Sequence, residues 1–482
     1  MIYTSGRPAS EVGGPQYADL ASLSPTQTGA STKFRASVIR QFIAMRVRLG
    51  ILFGRRSCCA AAKSGAIFLL FAVKLVRADG LSDWLMQPTM TGDWGGLRTS
   101  LKDAGITVRS FYWDEFASNP RGGKSQGQSN AQQFGLLADF DMGKIASISG
   151  GTFHFALSNR WGASNSLKHV GNVLEDQSDY GAGQNFRLAQ LSYEQLFDDG
   201  KVDTQFGFMA DFGYSFGFTF LLCNFQNVGF CAHPFVLYRD SGAVAYPTGQ
   251  WGASVKFNPS STFYAETGAF EVNPSRLLRD NGFNVSLAGT TGVMVPVEFG
   301  WTTAFGSDNL AGHYKIGGYY DTSDVADVAL TTLRRSGRYG AYVLADQMLF
   351  KFQSGTERGL IAFAQATVSD YGTSTIPYSI NAGVIVQGPF AERPRDYLAF
   401  GAVYEPVNSR VLRAQRSRLF QQIGIDPALQ EGETDVELGY GFSVAPWLMI
   451  NPNIQYMFNP GAFSYSHTRN ALVLGIQTKM VF

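Results

Sequence analysis

Short runs of alternating apolar and polar residues recur along most of this chain, and the last run is the clearest. Between Ala471 and Phe482, the residues Leu472, Leu474, Ile476, Met480 and Phe482 fall on one face, with Thr478 as its single polar member. Gly475, Gln477 and Lys479 fall on the other, with Val473 as the exception. A period of two is the signature of a strand whose side chains point alternately to opposite sides. The same reading applies to Val436, Leu438, Tyr440, Phe442 and Val444 against Asp435, Glu437 and Ser443. It applies also to Phe153, Phe155 and Leu157 against His154, Ser158 and Arg160, and to Val293, Val295, Val297, Phe299 and Trp301 around Glu298. Sixteen such segments are predicted, beginning near residues 107, 134, 152, 187, 202, 250, 262, 292, 312, 339, 358, 378, 396, 434, 447 and 471. Each is expected to run about 8–12 residues, the length a tilted membrane strand needs. Segments 107–116 and 339–351 alternate less cleanly.

One short helix precedes the strands. Leu97, Leu101 and Ala104 fall at i, i+4 and i+7, and Gly105 supplies a C-terminal stop. No long helix is predicted after residue 106. Connections come in two lengths. Asn258-Pro259-Ser260-Ser261 and Ala445-Pro446 are short, whereas 161–186, 210–249, 272–291 and 405–433 are long. Short turns at one end and long loops at the other suit a closed antiparallel barrel with its apolar face to lipid and its polar face to a lumen. An even strand count returns both termini to the same side. A soluble sandwich would show similar alternation. The expected fold is therefore all-β, a 16-stranded antiparallel transmembrane β-barrel with a short N-terminal helix.

Composition sharpens this reading. The 482 residues are 45% hydrophobic and 14% aromatic, with 54 Gly. No apolar run approaches the roughly 20 residues of a membrane helix. Residues 1–78 hold 11 of the 39 basic residues and 2 of the 38 acidic ones. Arg46, Arg48, Arg55, Arg56 and Lys63 precede the apolar stretch 66–73, and Val76-Arg77-Ala78 offers a small-residue cleavage site. Residues 1–78 are read as an N-terminal extension plus signal peptide, with Met45 as the expected start of translation; 79–105 is the helical segment and 106–482 the barrel. The remainder carries 28 basic and 36 acidic residues, a charge of −8, which argues against nucleic-acid binding. Cys58 and Cys59 leave with the leader. Cys223 and Cys231 lie eight apart in an exported chain and are expected to form a disulfide. No metal-ligand spacing is present, and no cofactor is expected.

The ordered set of short motifs resembles the carbohydrate-selective porins of the OprB type. It begins with Gly92-Asp93-Trp94-Gly95-Gly96-Leu97-Arg98, followed by Gly150-Gly151-Thr152-Phe153-His154, Ser158-Asn159-Arg160 and Tyr193-Glu194-Gln195. Later members are Ala245-Tyr246-Pro247, Asp346-Gln347-Met348-Leu349, Ala445-Pro446-Trp447-Leu448, Asn453-Ile454-Gln455-Tyr456, Phe458-Asn459-Pro460-Gly461 and Asn470 to Gly475. The stretch 210–235 departs from the family pattern. The resemblance implies a bacterial outer-membrane barrel that admits sugars, such as monosaccharides, by facilitated diffusion. It implies outer-membrane lipid and the barrel-assembly machinery as partners, the latter reading the terminal Phe482. Monomer and homotrimer both stay open. So do a general diffusion porin without sugar preference and a non-conducting structural barrel.

A sugar pore needs hydroxyl partners at a narrow place, and binding must stay weak enough for release. Asp139, Asp141, Arg160 and Glu194 are candidate lumen residues, as are Gln205, Asp211, Lys256 and Glu298. The plainer reading of each is a solvated lumen charge or a salt bridge across the wall. Arg160 stands out because it lies at a strand end, on the polar face and within a matching motif; a guanidinium donates a planar fork to adjacent hydroxyls. Asp93, Trp94 and Arg98 read better as a brace at the barrel mouth. Enzyme chemistry is not favoured: Glu194 and Asp203 are an ordinary acidic pair, and no Gly-x-Ser-x-Gly motif occurs. N-terminal sequencing of outer-membrane material is expected to begin near Asp79; recovery of residues 1–44 in that material would refute the assigned leader.

Overall fold

The computed structural model describes residues 80–210, 215–230, 233–424 and 428–482. The assigned leader, with Met45 and the start at Asp79, lies outside the described residues, as do Asp211 and Cys231. Sixteen strands follow in order: β1 Ile106–Arg121, β2 Gly127–Asp141, β3 Gly151–Gly162, β4 Phe186–Phe197, β5 Val202–Met209, β6 Gln250–Ser260, β7 Phe263–Val272 and β8 Gly292–Phe305. Then come β9 Leu310–Ala326, β10 Arg334–Lys351, β11 Gly359–Ser369, β12 Tyr378–Gln387, β13 Tyr397–Pro406, β14 Gly432–Ala445, β15 Leu448–Phe458 and β16 Ala471–Val481. Each pairs antiparallel with its neighbours, and β1 pairs with β16 to close a barrel. Closure leaves no unpaired edge, the condition lipid imposes on strands.

The faces are inverted relative to a water-soluble protein. On β8, Val293, Val295, Val297, Phe299 and Trp301 point outward and are 41–42% exposed, while Met294 and Glu298 point inward and are 0% exposed. On β16, Leu474 and Ile476 are exposed, and Ala471, Val473 and Gln477 are buried. The alternation read from the sequence therefore has its apolar side out. It breaks on β1, where outward Asp114 accepts a hydrogen bond from Asn130 at 2.5 Å and inward Phe111 and Trp113 lie within 5.5 Å of one another. Both faces of β1 are mixed, which is why its alternation is weak.

Two expectations are corrected. β1, β2, β8, β9, β10 and β14 run 14–18 residues rather than 8–12, because their ladders continue past the length a tilted strand needs to cross the hydrocarbon. The connection 405–433 also contains a long helix, α3, Ser409–Ile423. The Asn408 side chain caps it by accepting from the Arg410 N–H, and Gly424 ends it at φ +71°. Only Val411 and Leu412 of α3 are buried, so its apolar periodicity is thin.

At the end where the C-terminal Phe482 lies, α1 (Gly80–Met86) and α2 (Leu97–Asp103) brace the closing strands. Trp84 packs on Trp447 with ring centroids 4.5 Å apart, and the Met90 N–H donates to the Val481 carbonyl at 2.8 Å. Asp93 accepts from the N–H and hydroxyl of Thr99, and the Arg98 guanidinium lies 4.3 Å from the Trp94 ring centre. The Gly92–Arg98 motif thus builds the mouth.

Two long connections, 163–185 and 210–249, fold back into the barrel. Wall carboxylates hold them by accepting backbone N–H groups. Glu433 takes those of Val173 and Leu174, Glu437 those of Gln226 and Asn227, Glu115 that of Asp179, and Glu298 that of Gly217. Apolar side chains complete the seating. Phe225 and Phe230 pack against Phe363, Ile385, Tyr397 and Val403, and Phe216 and Leu237 pack against Phe270, Met294 and Tyr342. Glu437→Ala removes the acceptor of two buried donors, each costing about 1–3 kcal/mol when left unmade. Amide exchange at Gln226 and Asn227 is expected to rise about tenfold or more, with β14 and β15 little changed. Unchanged exchange at those two amides would refute the anchoring role.

Candidate functional site: the lumen passage

The inserted connections divide the lumen. From Tyr397 to Glu405 on β13 and from Met449 to Met457 on β15, every inward residue is buried. Water-reaching inward side chains gather instead on β1–β3, β5 and β6, and near the turn end of β9 and β10. They include Arg109, Trp113, Asp139, Arg160, Gln205 and Lys256, with His313 and Asp346 across the lumen. A passage along this side is what the two inserted connections leave.

Arg160 lies on it. Its side chain points inward, as the alternation of β3 requires, and its Nε donates to Gln133 Oε1. A side chain added at Gly181, in the inserted 163–185 connection, would begin 4.0 Å from Arg160 Nη1. Its charge acts on Glu175 and Asp179 of that same connection. Burial pushes the Glu175 carboxyl up to about 8, with Asp176 adding to the rise and Arg160 opposing it. Burial pushes Asp179 up to about 6, with Arg160 and Lys479 pulling the other way. Along the same wall the register row runs from Arg160 through Gln133 and Trp113 to Lys479; Lys479 sits 4.5 Å from the Trp113 ring centre, and Tyr246 from the other inserted connection packs 6.5 Å from Phe111. The Tyr246–Pro247 peptide bond is cis. A guanidinium and an indole therefore reach water from one row of the wall, with two carboxyl groups of the inserted connection behind the guanidinium, a set able to hydrogen-bond vicinal hydroxyls and offer a flat face to C–H groups.

The other sequence candidates occupy varied settings. Asp139 and Glu194 are joined through His154, whose Nδ1 lies 2.8 Å from Asp139 and Nε2 3.3 Å from Glu194; Arg109 pairs with the far side of Asp139. This ladder crosses β1 to β4 at one level, and Glu194 within it is buried. Asp141 caps a one-turn helix at the turn end by accepting from the Lys144 N–H. Gln205 donates to Ser192 Oγ at 3.0 Å. Lys256 lies 3.9 Å from Glu266 and 4.0 Å from the Tyr264 ring centre. Glu298 is fully buried and accepts from Tyr264, Tyr342 and the Gly217 N–H. Among the described residues Cys223 has no disulfide partner, and Cys231, with which it is expected to pair, lies outside them.

Sequence reasoning missed Trp113, Glu175, Asp179, Tyr246 and Lys479. Trp113 sits on the strand whose faces were mixed. Glu175, Asp179 and Tyr246 lie in connections without periodicity. Lys479 was on the inward face of β16, and that face was the available signal.

The family model for "Carbohydrate-selective porin, OprB family" matches residues 125–482. Porin B of Pseudomonas aeruginosa is 34% identical over 452 residues, spanning 88% of this chain and 98% of that protein. The solved high-pH structure of Pseudomonas putida OprB superposes with a TM-score of 0.77 at 33% identity, covering 82% of this chain and 99% of that one. The low-pH structure of the same protein gives 0.55 at 27% identity with the same coverage.

The raised carboxyls carry a pH signature. Between about pH 8.5 and about pH 5, Glu175 and Asp179 take up protons, so the passage loses negative charge as pH falls. The cation-over-anion permeability ratio, from reversal potentials in a salt gradient, is expected to fall at least about twofold over that range. A ratio constant across it would place both groups away from the ion path.

Proposed function

The chain belongs to the OprB family of carbohydrate-selective porins, and from that premise we propose that the passage beside Arg160 is where it recognises the sugars it conducts. The protein is a sixteen-stranded barrel of the bacterial outer membrane. It passes carbohydrate solutes by facilitated diffusion, a channel rather than a catalyst. The observation that carries the site assignment is that Arg160 and Trp113, joined through Gln133 in one register row, reach water on the open side of a lumen otherwise filled by inserted chain, with the carboxyl groups of Glu175 and Asp179 within reach of the Arg160 charge.

Recognition here follows from which hydrogen-bonding groups are left over. Arg187, also close enough for its charge to feel Arg160, donates to the carbonyls of Ala182, Arg276, Leu277 and Leu278. Its donors are spent on holding the rim. Among the described residues Arg160 makes one side-chain bond, to Gln133. Its terminal N–H groups can exchange water for a hydroxyl pair at little net gain, which keeps binding weak and release fast. Transport then needs no moving part: a solute that replaces the lost water bonds crosses faster than one that cannot.

Phe482 belongs to assembly in this reading. Its N–H donates to the Ser110 carbonyl at 2.9 Å and its ring lies 6.4 Å from Phe134, on the outer rim where β16 meets β1, away from the passage.

Replacing Arg160 with Ala is expected to raise the sugar concentration for half-block of the ion current about tenfold, or about 1.4 kcal/mol, the scale of a lost charge-assisted hydrogen bond. Liposome swelling with a monosaccharide is expected to slow relative to an amino acid of similar size. Wild-type sugar affinity in the Arg160→Ala pore would make Arg160 a wall residue. Absence of saturable block in the wild type would favour a general diffusion porin.

A further inference from the structure

β5 has eight residues, Val202–Met209, whereas a tilted strand needs about 9–11 to cross the hydrocarbon. The wall beyond its loop end is completed from outside, by the β7–β8 connection, residues 273–291. Its seating is specific. Glu271, which shares the outward face with its register partner Val293, is buried under the connection and pairs with Arg276 at 2.7 Å. The Arg276 guanidinium in turn lies 5.1 Å from the ring centre of Phe208. Phe208 faces outward beside Trp251, its register partner, yet is only 3% exposed because the connection covers it. Trp251 Nε1 donates to the Val285 carbonyl at 2.7 Å. The Leu188 N–H donates to the Gly282 carbonyl at 2.9 Å, extending the edge of β4 beyond Leu191, where its pairing with β5 ends.

The outer surface of this connection is apolar. Leu277, Leu278, Phe283, Val285 and Leu287 are 41–61% exposed, comparable to or more open than the lipid-facing row on β8. A water-facing loop gains nothing from five exposed large apolar side chains, and a contiguous patch of this kind marks an interaction surface. It continues the established lipid-facing face of β8 and sits over a strand too short to span the membrane. Exposed Arg279 and Asp280 interrupt it, as charges do at headgroup level.

We propose that residues 273–291 form a membrane-facing part of the barrel wall, with these apolar side chains seated among lipid acyl chains. The inference rests on the outer-membrane barrel reading. The test uses the whole wild-type protein in nanodiscs holding one barrel each, with phosphatidylcholine bearing a diazirine on an acyl chain. Photolysis is expected to attach lipid to the 277–287 peptide within about threefold of the 293–301 peptide, and at least tenfold more than to the 409–423 helix. Labelling of 293–301 without 277–287 overturns the proposal and leaves the barrel reading intact. Labelling of neither overturns the barrel reading itself. The single-barrel discs exclude burial against a second copy as the source of any result.

Discussion

A chain segment without regular structure cannot lie inside a barrel unless something takes its backbone N–H groups, and here wall carboxylates do so. Each buried donor left unmade would cost about 1–3 kcal/mol, and two connections bring many such donors into the lumen. Glu115, Glu298, Glu433 and Glu437 project from three strands, β1, β8 and β14, at fixed positions, each receiving one or two N–H groups from an inserted connection. A carboxylate suits this task because it only accepts, and it accepts from two donors at once. A strand suits it because ladder bonds on both sides fix where the carboxylate stands. The narrowness of the passage follows from this arrangement, and everything argued about selectivity presupposes it.

The anchors also explain why the lumen is one-sided. They lie mainly on β8 and β14, so the inserted chain is drawn toward that half, where Phe225 and Phe230 or Phe216 and Leu237 meet inward-facing apolar residues of the wall. Such residues would be misplaced in a water-filled pore. They are core residues of a small packed interior enclosed by the barrel. The half lined by β1–β3, β5 and β6 is left wetter, with Arg109, Asp139, Arg160 and Lys256 reaching water. A sixteen-stranded wall thus encloses a folded plug on one side and a passage on the other.

Most of the wall was legible from the sequence. Period two with apolar residues on one side is imposed by lipid on each spanning strand, so β3, β8, β14, β15 and β16 could be placed and faced from alternation. β1 could not be faced, because Phe111 and Trp113 are needed inside by Tyr246 and Lys479 while Asp114 stands outside beside Asn130. Helix α3 escaped because only Val411 and Leu412 are buried while Phe420 and Ile423 are exposed, so no apolar stripe marks one face; its cap residues Asn408 and Gly424 were the signal that remained. The site was legible only where it lies on the wall. Arg160 followed from the alternation of β3, but Glu175, Asp179 and Tyr246 belong to segments held by wall anchors 64 to 260 residues distant in sequence.

The lumen also shows why listing its polar residues does not locate a binding site. Glu298 and Arg160 are both inward, charged and carried on well-alternating strands, and by pattern alone they are equivalent. Glu298 has its two oxygens occupied by two tyrosine hydroxyls, a lysine and a backbone N–H. Arg187, chemically identical to Arg160, gives its donors to four carbonyls of the rim. Groups so occupied stabilise the wall and have nothing further to offer a solute. A passing hydroxyl can be recognised only by groups whose bonds are mostly to water, and that property belongs to the arrangement of partners around a residue. In a porin the two uses compete for the same residue types on the same face, so the chemistry of the passage is set by what construction of the barrel leaves unspent.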